Sequence, residues 1–438
     1  MTAQIAQEIR QDFPALQSMR NGRPPIFFDN ACGTIPCQTV IDAINEYCLL
    51  YPACGDRSPH WWGKKVDAEV ERARHEIAEF INASDPSQIV FVKNTTEAIN
   101  LVARGLHWEK DDVVITGDRE HNSNRTCWED LTKEIGIERK IVRRDGSFAP
   151  EAEFDVDYFL NEVKSTPNVK LVSLAQTSNL DGYSIPSEAI KIITAYAHSE
   201  ELQDELQDFY VLLDAAQSVP HKRVDVQDLD VDFIGFSIHK MSGPTGLGVC
   251  YLKDPNILER ALITGGGTVA NSFDDGRPPI YLHSPQKFEA GLQHWAGILG
   301  GGAAVRYMRE KIDLIQEIEC ELNQILTDGF MPYHDKEVVT LLGPHDPAKR
   351  GSICTIEVHP LHEEEDMGRF LSETVLPAAD EFNLMFRTGD FCVSPYCRQV
   401  RGERIARIRF SMYLYNDADE CQKALDVFRP ILDRRLGS

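Results

Sequence analysis

The sequence predicts an α/β protein: a mainly parallel sheet flanked by helices, with a smaller α+β domain. Three observations carry this. Short apolar runs alternate with helix-length amphipathic segments from about Pro25 to about Ala303. Polar and charged residues gather just beyond the ends of those apolar runs, where ligands of such folds bind. Past the glycine run Gly300–Gly302 the pattern changes to mixed strand and helix. The expected division is a large domain over residues 26–303 and a small one over 1–25 plus 304–438.

In chain order, the expected strands are Ile89 to Val92, Asp112 to Thr116, Lys170 to Leu174, Tyr210 to Leu213, Asp232 to Ser237 and Val249 to Leu252. Each is a short run rich in β-branched or aromatic residues. Helical spacing marks Val66 to Ile81, Thr96 to Arg104 and Pro186 to Ala197 between them. Beyond the glycine run, one helix is expected over about Ala304 to Leu326 and a last one over Ala424 to Leu432.

The 438 residues suffice for two domains with substantial cores. Hydrophobic content of 42% and charged content of 26% are those of an ordinary globular protein. No run reaches the length of a membrane span, and the start MTAQIAQEIRQDF lacks a signal peptide's apolar stretch. A cytoplasmic protein is therefore expected. The formal charge of −24 argues against a broad nucleic-acid surface.

Lys240, in FSIHKMSGPTGLGVCYL, is the most informative residue. A lysine at the end of a buried strand is costly unless paired or converted chemically, and imine formation with an aldehyde cofactor converts it. Twenty-six residues earlier, Asp214 ends the strand of VLLDAAQSVP. A carboxylate there can keep a pyridine nitrogen protonated and turn the ring into an electron sink. Together the pair points to pyridoxal phosphate. Singly, each has an ordinary explanation as a solvated loop lysine and a helix cap. A nucleotide-binding reading of GPTGLG fails on order, because a P-loop lysine follows its glycines.

Other groups join this pair. Thr95 and Thr96 stand where a strand gives way to a helix, offering hydroxyls and amides to a phosphate. His121, in GDREHNSN, lies just past a strand end, where it can stack on a flat ring and carry protons. Ser178, Asn179 and Gln217 offer polar groups beyond other strand ends. The eleven cysteines are scattered; Cys32 and Cys37, like Cys392 and Cys397, are five apart, which is not zinc-ligand spacing. His359 and His362 precede an acidic helix start rather than a metal cluster, and no metal is assigned.

The ordered set FFDNACGT, KNTTEAIN, DREHNSN, QTSNLDG, the block from Leu212 to Val249, FEAG and RTGDFC resembles the class V aminotransferase-fold enzymes. Within them it is most similar to group II cysteine desulfurases and the desulfurase-like domain of molybdenum-cofactor sulfurases. The resemblance runs from about Asp12 to Asn416. It implies the fold type I architecture of pyridoxal phosphate-dependent transferases. It also implies roles: Lys240 as imine-forming lysine and base, Asp214 at the ring nitrogen, His121 on the ring face, and Gln217 at the phenolic oxygen. Thr95, Thr96, Ser237 and His239 would bind the phosphate, Arg387 and Asn179 the substrate carboxylate. Cys392 would accept sulfur as a persulfide.

The expected activity is conversion of L-cysteine or a related sulfur amino acid to L-alanine, with transfer to a sulfur-acceptor protein, in a homodimer. The alternative is a carbon–sulfur lyase that releases pyruvate, ammonia and sulfide or persulfide. A noncatalytic binding member is a third class, opposed by Lys240 and Asp214. Leu292 after FEAG replaces a threonine usual in desulfurases. ACGDRSPHWW stands where the family has a His-Arg-Gly stretch, which leaves Arg57, His60, Trp61 and Trp62 without assigned roles; Asp390 and Phe391 replace histidines, and Lys93 replaces an arginine.

Overall fold

Seven strands make the central sheet of the computed structural model, which describes residues 2–55, 58–199 and 209–437. Arg57 lies outside the described residues. The strands are β1 (Ile89–Val92), β2 (Val113–Gly117), β3 (Glu138–Val142), β4 (Val169–Ala175), β5 (Tyr210–Asp214), β6 (Phe233–Ser237) and β7 (Gly248–Leu252). Their order across the sheet is β1-β7-β6-β5-β4-β2-β3. Only β7 runs against its neighbours, β1 and β6; the other pairings are parallel. Burial on both faces explains why β5, β6 and β7 read as near-continuous apolar runs rather than alternating ones. The expected strands all form, with ends shifted by a residue at most.

Helices α1 (Gln38–Leu50), α2 (Trp61–Phe80), α3 (Thr95–Gly105) and α4 (Ser187–Ala197) belong to this layer system. In α3, Ala98, Ile99, Leu101 and Val102 form one buried stripe, which packs on the sheet with Val90 and Leu212. Asn94 caps α3 by accepting the Glu97 amide at 3.0 Å. The cap is therefore not a threonine, and the hydroxyls of Thr95 and Thr96 are left for other partners.

The single helix expected over Ala304 to Leu326 is instead two: α5 (Trp295–Arg309) and α6 (Ile312–His334). The glycine run lies inside α5. Without side chains, the helix approaches its surroundings closely. A β-carbon on Gly300 would come 2.9 Å from Ile44, one on Gly301 2.5 Å from Leu247, and one on Gly302 2.8 Å from Ala73. The break at Glu310–Lys311 has a packing cause. Helix α5 buries its residues in the core of the large sheet, whereas Ile318, Leu322, Leu326 and Phe330 of α6 serve a second core. One straight helix could not face both.

That second core lies under an antiparallel sheet of β8 (Val339–Leu342), β9 (Ile353–Val358), β10 (Arg387–Thr388) and β11 (Ala406–Ser411), ordered β8-β9-β11-β10. Helix α7 (Ala418–Leu436) covers it through Ala424, Leu425, Phe428 and Leu432. The two cores meet where the chain's first segment passes between them: Asp29 bridges Ser411 of β11, and the Thr34 amide donates to the His239 carbonyl at 2.9 Å. Among the described residues no helix is long and apolar enough to cross a membrane.

Candidate active site

A cavity of about 200 Å³ opens beyond the carboxyl ends of the parallel strands, where the small sheet's β10 and β11 reach over them. Lys240, Asp214, Gln217, His121, Thr95, Thr96, Ser237, His239, Arg387, Asn179 and Cys392 all line it. Residues spread over three hundred positions of chain thus meet in one space. The sequence reading did not anticipate Cys32, Asn94, Ser123, Thr177 and Arg409, which line it too.

Strand β5 delivers Asp214 at its last position, and one carboxylate oxygen accepts the Ala216 amide at 3.0 Å. Burial raises its pKa above the ordinary value, with Lys240 opposing the shift. Strand β6 ends at Ser237, and a single 3₁₀ turn (Ile238–Lys240) then points Lys240 at the cavity. Burial pushes the Lys240 ammonium down, Asp214 working against that shift and Arg409 with it. A lysine so placed gives up its proton more readily than a solvated one.

At the cavity's other end, the Thr95 amide donates to the Ser237 Oγ at 2.9 Å, and the two hydroxyls lie 2.6 Å apart. These groups sit at the start of α3, where the helix dipole favours an anion. His239 stands beside them, its imidazole lowered to about 4 by burial and by Lys240. His121 is lowered to about 4 as well, by burial first and then by Lys240 and Arg409. Its Nδ1 accepts the Ser123 amide at 3.1 Å, so the neutral ring carries its proton on Nε2. At neutral pH it is an uncharged flat ring, suited to stacking.

Gln217 is almost wholly buried; its Nε2 donates to the Ala31 carbonyl at 2.7 Å, and its Oε1 finds no partner among the described residues. An unsatisfied buried oxygen is costly, and a ring hydroxyl would satisfy it. With an anion site at one end, an amine at the other and a carboxylate behind, the donor set fits pyridoxal phosphate.

Arg387 and Arg409 are cross-strand partners in the β10–β11 ladder. Like charges placed opposite each other are unfavourable. Here Asp29 lies 3.8 Å from Arg387 and 3.5 Å from Arg409, and the Asn179 carbonyl accepts Arg409 at 2.8 Å. Arg387 keeps about half its side-chain surface exposed, whereas Arg409 is buried. The pair gives this wall of the cavity a positive field that suits a carboxylate. Arg409 was legible only as one of two arginines alternating with apolar residues in the strand IARIRFS.

Cys392 is exposed to the cavity on a short loop, and both it and Phe391 have left-handed backbone (φ +61° and +50°). Two hydrogen bonds hold that unusual conformation. The Asn122 amide donates to the Cys392 carbonyl at 2.7 Å, and Asn179 Nδ2 donates to the Phe391 carbonyl at 2.7 Å. Asn179 thereby ties the Cys392 loop to the segment after β4. The neighbouring Cys397 is different in kind: it is buried, donates to the Asp390 carbonyl and is pushed up to about 12 by burial.

The class-V aminotransferase family matches residues 26–424. A probable cysteine desulfurase of Pyrococcus abyssi is 31% identical over 436 residues, covering 98% of this chain and 98% of that protein. A cysteine desulfurase of Serratia proteamaculans is 31% identical, covering 95% and 96%. Among solved structures, a cysteine desulfurase from Thermococcus onnurineus superposes with a TM-score of 0.82 at 28% identity, covering 97% of this chain and 98% of that one. One from Escherichia coli gives 0.79 at 26%, covering 99% and 98%. A cystine C–S lyase at 19% identity, with a TM-score of 0.75 over 94% and 98%, shares the fold. With its sheet, its lysine–aspartate pair and a match over nearly its whole length, the chain belongs to the class-V aminotransferase family of pyridoxal phosphate enzymes.

Proposed function

We propose that this protein is a cysteine desulfurase that converts L-cysteine to L-alanine and takes the sulfur onto Cys392. The observation that carries the reading is that Cys392 opens onto the same cavity as Lys240 and Arg387. The many relatives named cysteine desulfurase support it.

When bound, pyridoxal phosphate supplies an aldehyde that captures the substrate amine and a ring that accepts electrons released at Cα. The chain's residues do the rest. Arg387 forks onto the substrate carboxylate, with the Arg409 charge behind it. Asp214 would keep a proton on the ring nitrogen, and the neutral His121 would cover the ring face. Lys240, its basicity lowered by burial, takes and returns the proton at Cα. Thr95, Thr96, Ser237 and His239 would hold the phosphate, and Gln217 the phenolic oxygen. Cys392 Sγ then bonds to the substrate sulfur as the carbon–sulfur bond breaks, and the carbon takes up a proton to end as the methyl group of alanine.

The same reading includes the two-domain division, 26–303 against 1–25 plus 304–438, a cytoplasmic location, and a sulfur-acceptor protein that collects from Cys392. It also includes a homodimer, which the exposed apolar Trp61, Ile263 and Leu292 support. Light scattering on purified protein tests the dimer.

Product analysis with L-cysteine and a reductant tests the activity. Wild type is expected to give alanine and sulfide, and Cys392→Ala to give neither at a comparable rate. Pyruvate and ammonia from both proteins would overturn the reading in favour of a carbon–sulfur lyase.

A further inference from the structure

Cys32 is the second thiol of this cavity, and neither the fold nor the cofactor site accounts for it. It stands on the turn Asp29–Cys32, whose backbone is fixed from several sides. The Cys32 amide donates to the Asp29 carbonyl at 3.1 Å, the Ala31 amide to Ser411 Oγ at 2.9 Å, and the Ala31 carbonyl accepts Gln217. The side chain is nonetheless exposed, and it faces the cavity. Arg387 Nη1 lies 3.9 Å from its sulfur. Both Cys32 and Cys392 line the cavity into which Lys240 points. The other cysteines are set apart. Six are buried, Cys320 is half-buried, and the exposed Cys48 and Cys54 do not line this cavity.

Building on the desulfurase reading, we propose that Cys32 is a second sulfur carrier that takes the outer sulfur of a Cys392 persulfide. The transfer balances without an outside reagent. The Cys32 sulfur attacks the terminal sulfur, a new sulfur–sulfur bond forms at Cys32, and the bond to Cys392 Sγ breaks. The electron pair leaves on Cys392 Sγ, which takes the proton given up by Cys32. The sulfane sulfur keeps its oxidation state. A persulfide carries its outer sulfur about 2 Å beyond Sγ, and both residues line the one cavity. Cys392 is then free to accept again while Cys32 holds the first sulfur.

The test uses the full chain loaded with pyridoxal phosphate, given L-cysteine without reductant, capped with an alkylating agent and mapped by mass spectrometry under non-reducing conditions. Wild type is expected to carry an added sulfur on both the Cys32 and Cys392 peptides and to form about twice the alanine per chain formed by Cys32→Ser. In Cys392→Ala the Cys32 peptide is expected to stay unmodified. Sulfur on Cys392 alone in wild type would overturn the relay and leave the desulfurase reading standing. Sulfur on Cys32 in Cys392→Ala would overturn it too, because the sulfur would then come directly from substrate. So would a Cys32–Cys392 disulfide with release of sulfide, which means attack on the inner sulfur. Pyruvate with no sulfur on either peptide would remove both the relay and the reading beneath it. If Cys32→Ser does not fold, the wild-type peptide map alone decides.

Discussion

Replacing Asp181 by asparagine should destabilise the fold by about 3–5 kcal/mol, the usual result of stripping one partner from a buried ion cluster. Asp181 is fully buried beyond β4, and its hydrogen-bond partners are all donors. Oδ2 accepts Arg119 at 2.7 Å and Arg144 at 2.8 Å; Oδ1 accepts Arg144 and the Tyr183 amide, each at 3.1 Å. An asparagine of the same shape keeps one oxygen, sets an NH₂ against N–H groups, and leaves two buried guanidiniums without a hydrogen-bonded carboxylate. Urea unfolding at neutral pH, with unchanged slope, measures the loss. A loss under about 1 kcal/mol would refute the reasoning. It would mean that the carbonyls of Ala149, Pro150 and Ala152, which already accept from these arginines, neutralise them adequately. Acid should close the gap between the proteins. Burial alone would raise the Asp181 carboxyl, but Arg144 and Arg119 outweigh it and hold the pKa well below the ordinary 3.8. Its stabilisation is present above that value and is lost as pH falls through the depressed one.

Glu120→Gln should abolish one pH dependence of stability. Burial lifts the Glu120 carboxyl from 4.5 to about 7, so its contribution is complete below 4.5 and disappears as pH rises through about 7. Thermal melts should show the variant gaining about 3 kcal/mol on wild type across that window, and a constant difference would contradict it. Gly302→Ala should cost up to about 2 kcal/mol. Overpacking against Ala73 at 2.8 Å, about 1–3 kcal/mol, offsets or outweighs the helix-propensity gain of about 1 kcal/mol; a stabilised variant in urea melts would show that α2 can give way. Arg387→Lys should raise KM for L-cysteine about tenfold with a smaller change in kcat, through loss of the planar fork; an unchanged KM would remove Arg387 from carboxylate binding.

Much of the large sheet was legible because parallel strands buried on both faces leave apolar runs that few other structures require. Lys240 and Asp214 were legible for a related reason: a charge at the end of such a run needs a purpose. The division of residues 295–334 into two helices was not. Neither proline nor glycine marks Glu310–Lys311, and the glycines that look like a breaker serve contacts with Ile44, Leu247 and Ala73 from distant segments. Arg387 and Cys392 came from resemblance, since each is an ordinary surface residue by local pattern. Arg409 and Cys32 escaped because their surroundings exist only once β11 and the Asp29–Cys32 turn meet.

The side-chain-free stretch of α5 also bears on how the reactive lysine is held. A β-carbon on Gly301 would come 2.5 Å from Leu247 and 3.6 Å from Ile238, and one on Gly243 would meet Ile238 and Ala304. The turn that carries Lys240 is therefore registered against a helix that contributes nothing to the cavity wall. That helix works as a gauge block: its bare surface sets how deep the lysine stands. A methyl group added there would shift the amine relative to Asp214 without touching either residue, so damage would surface first as weak cofactor retention in a protein that still folds.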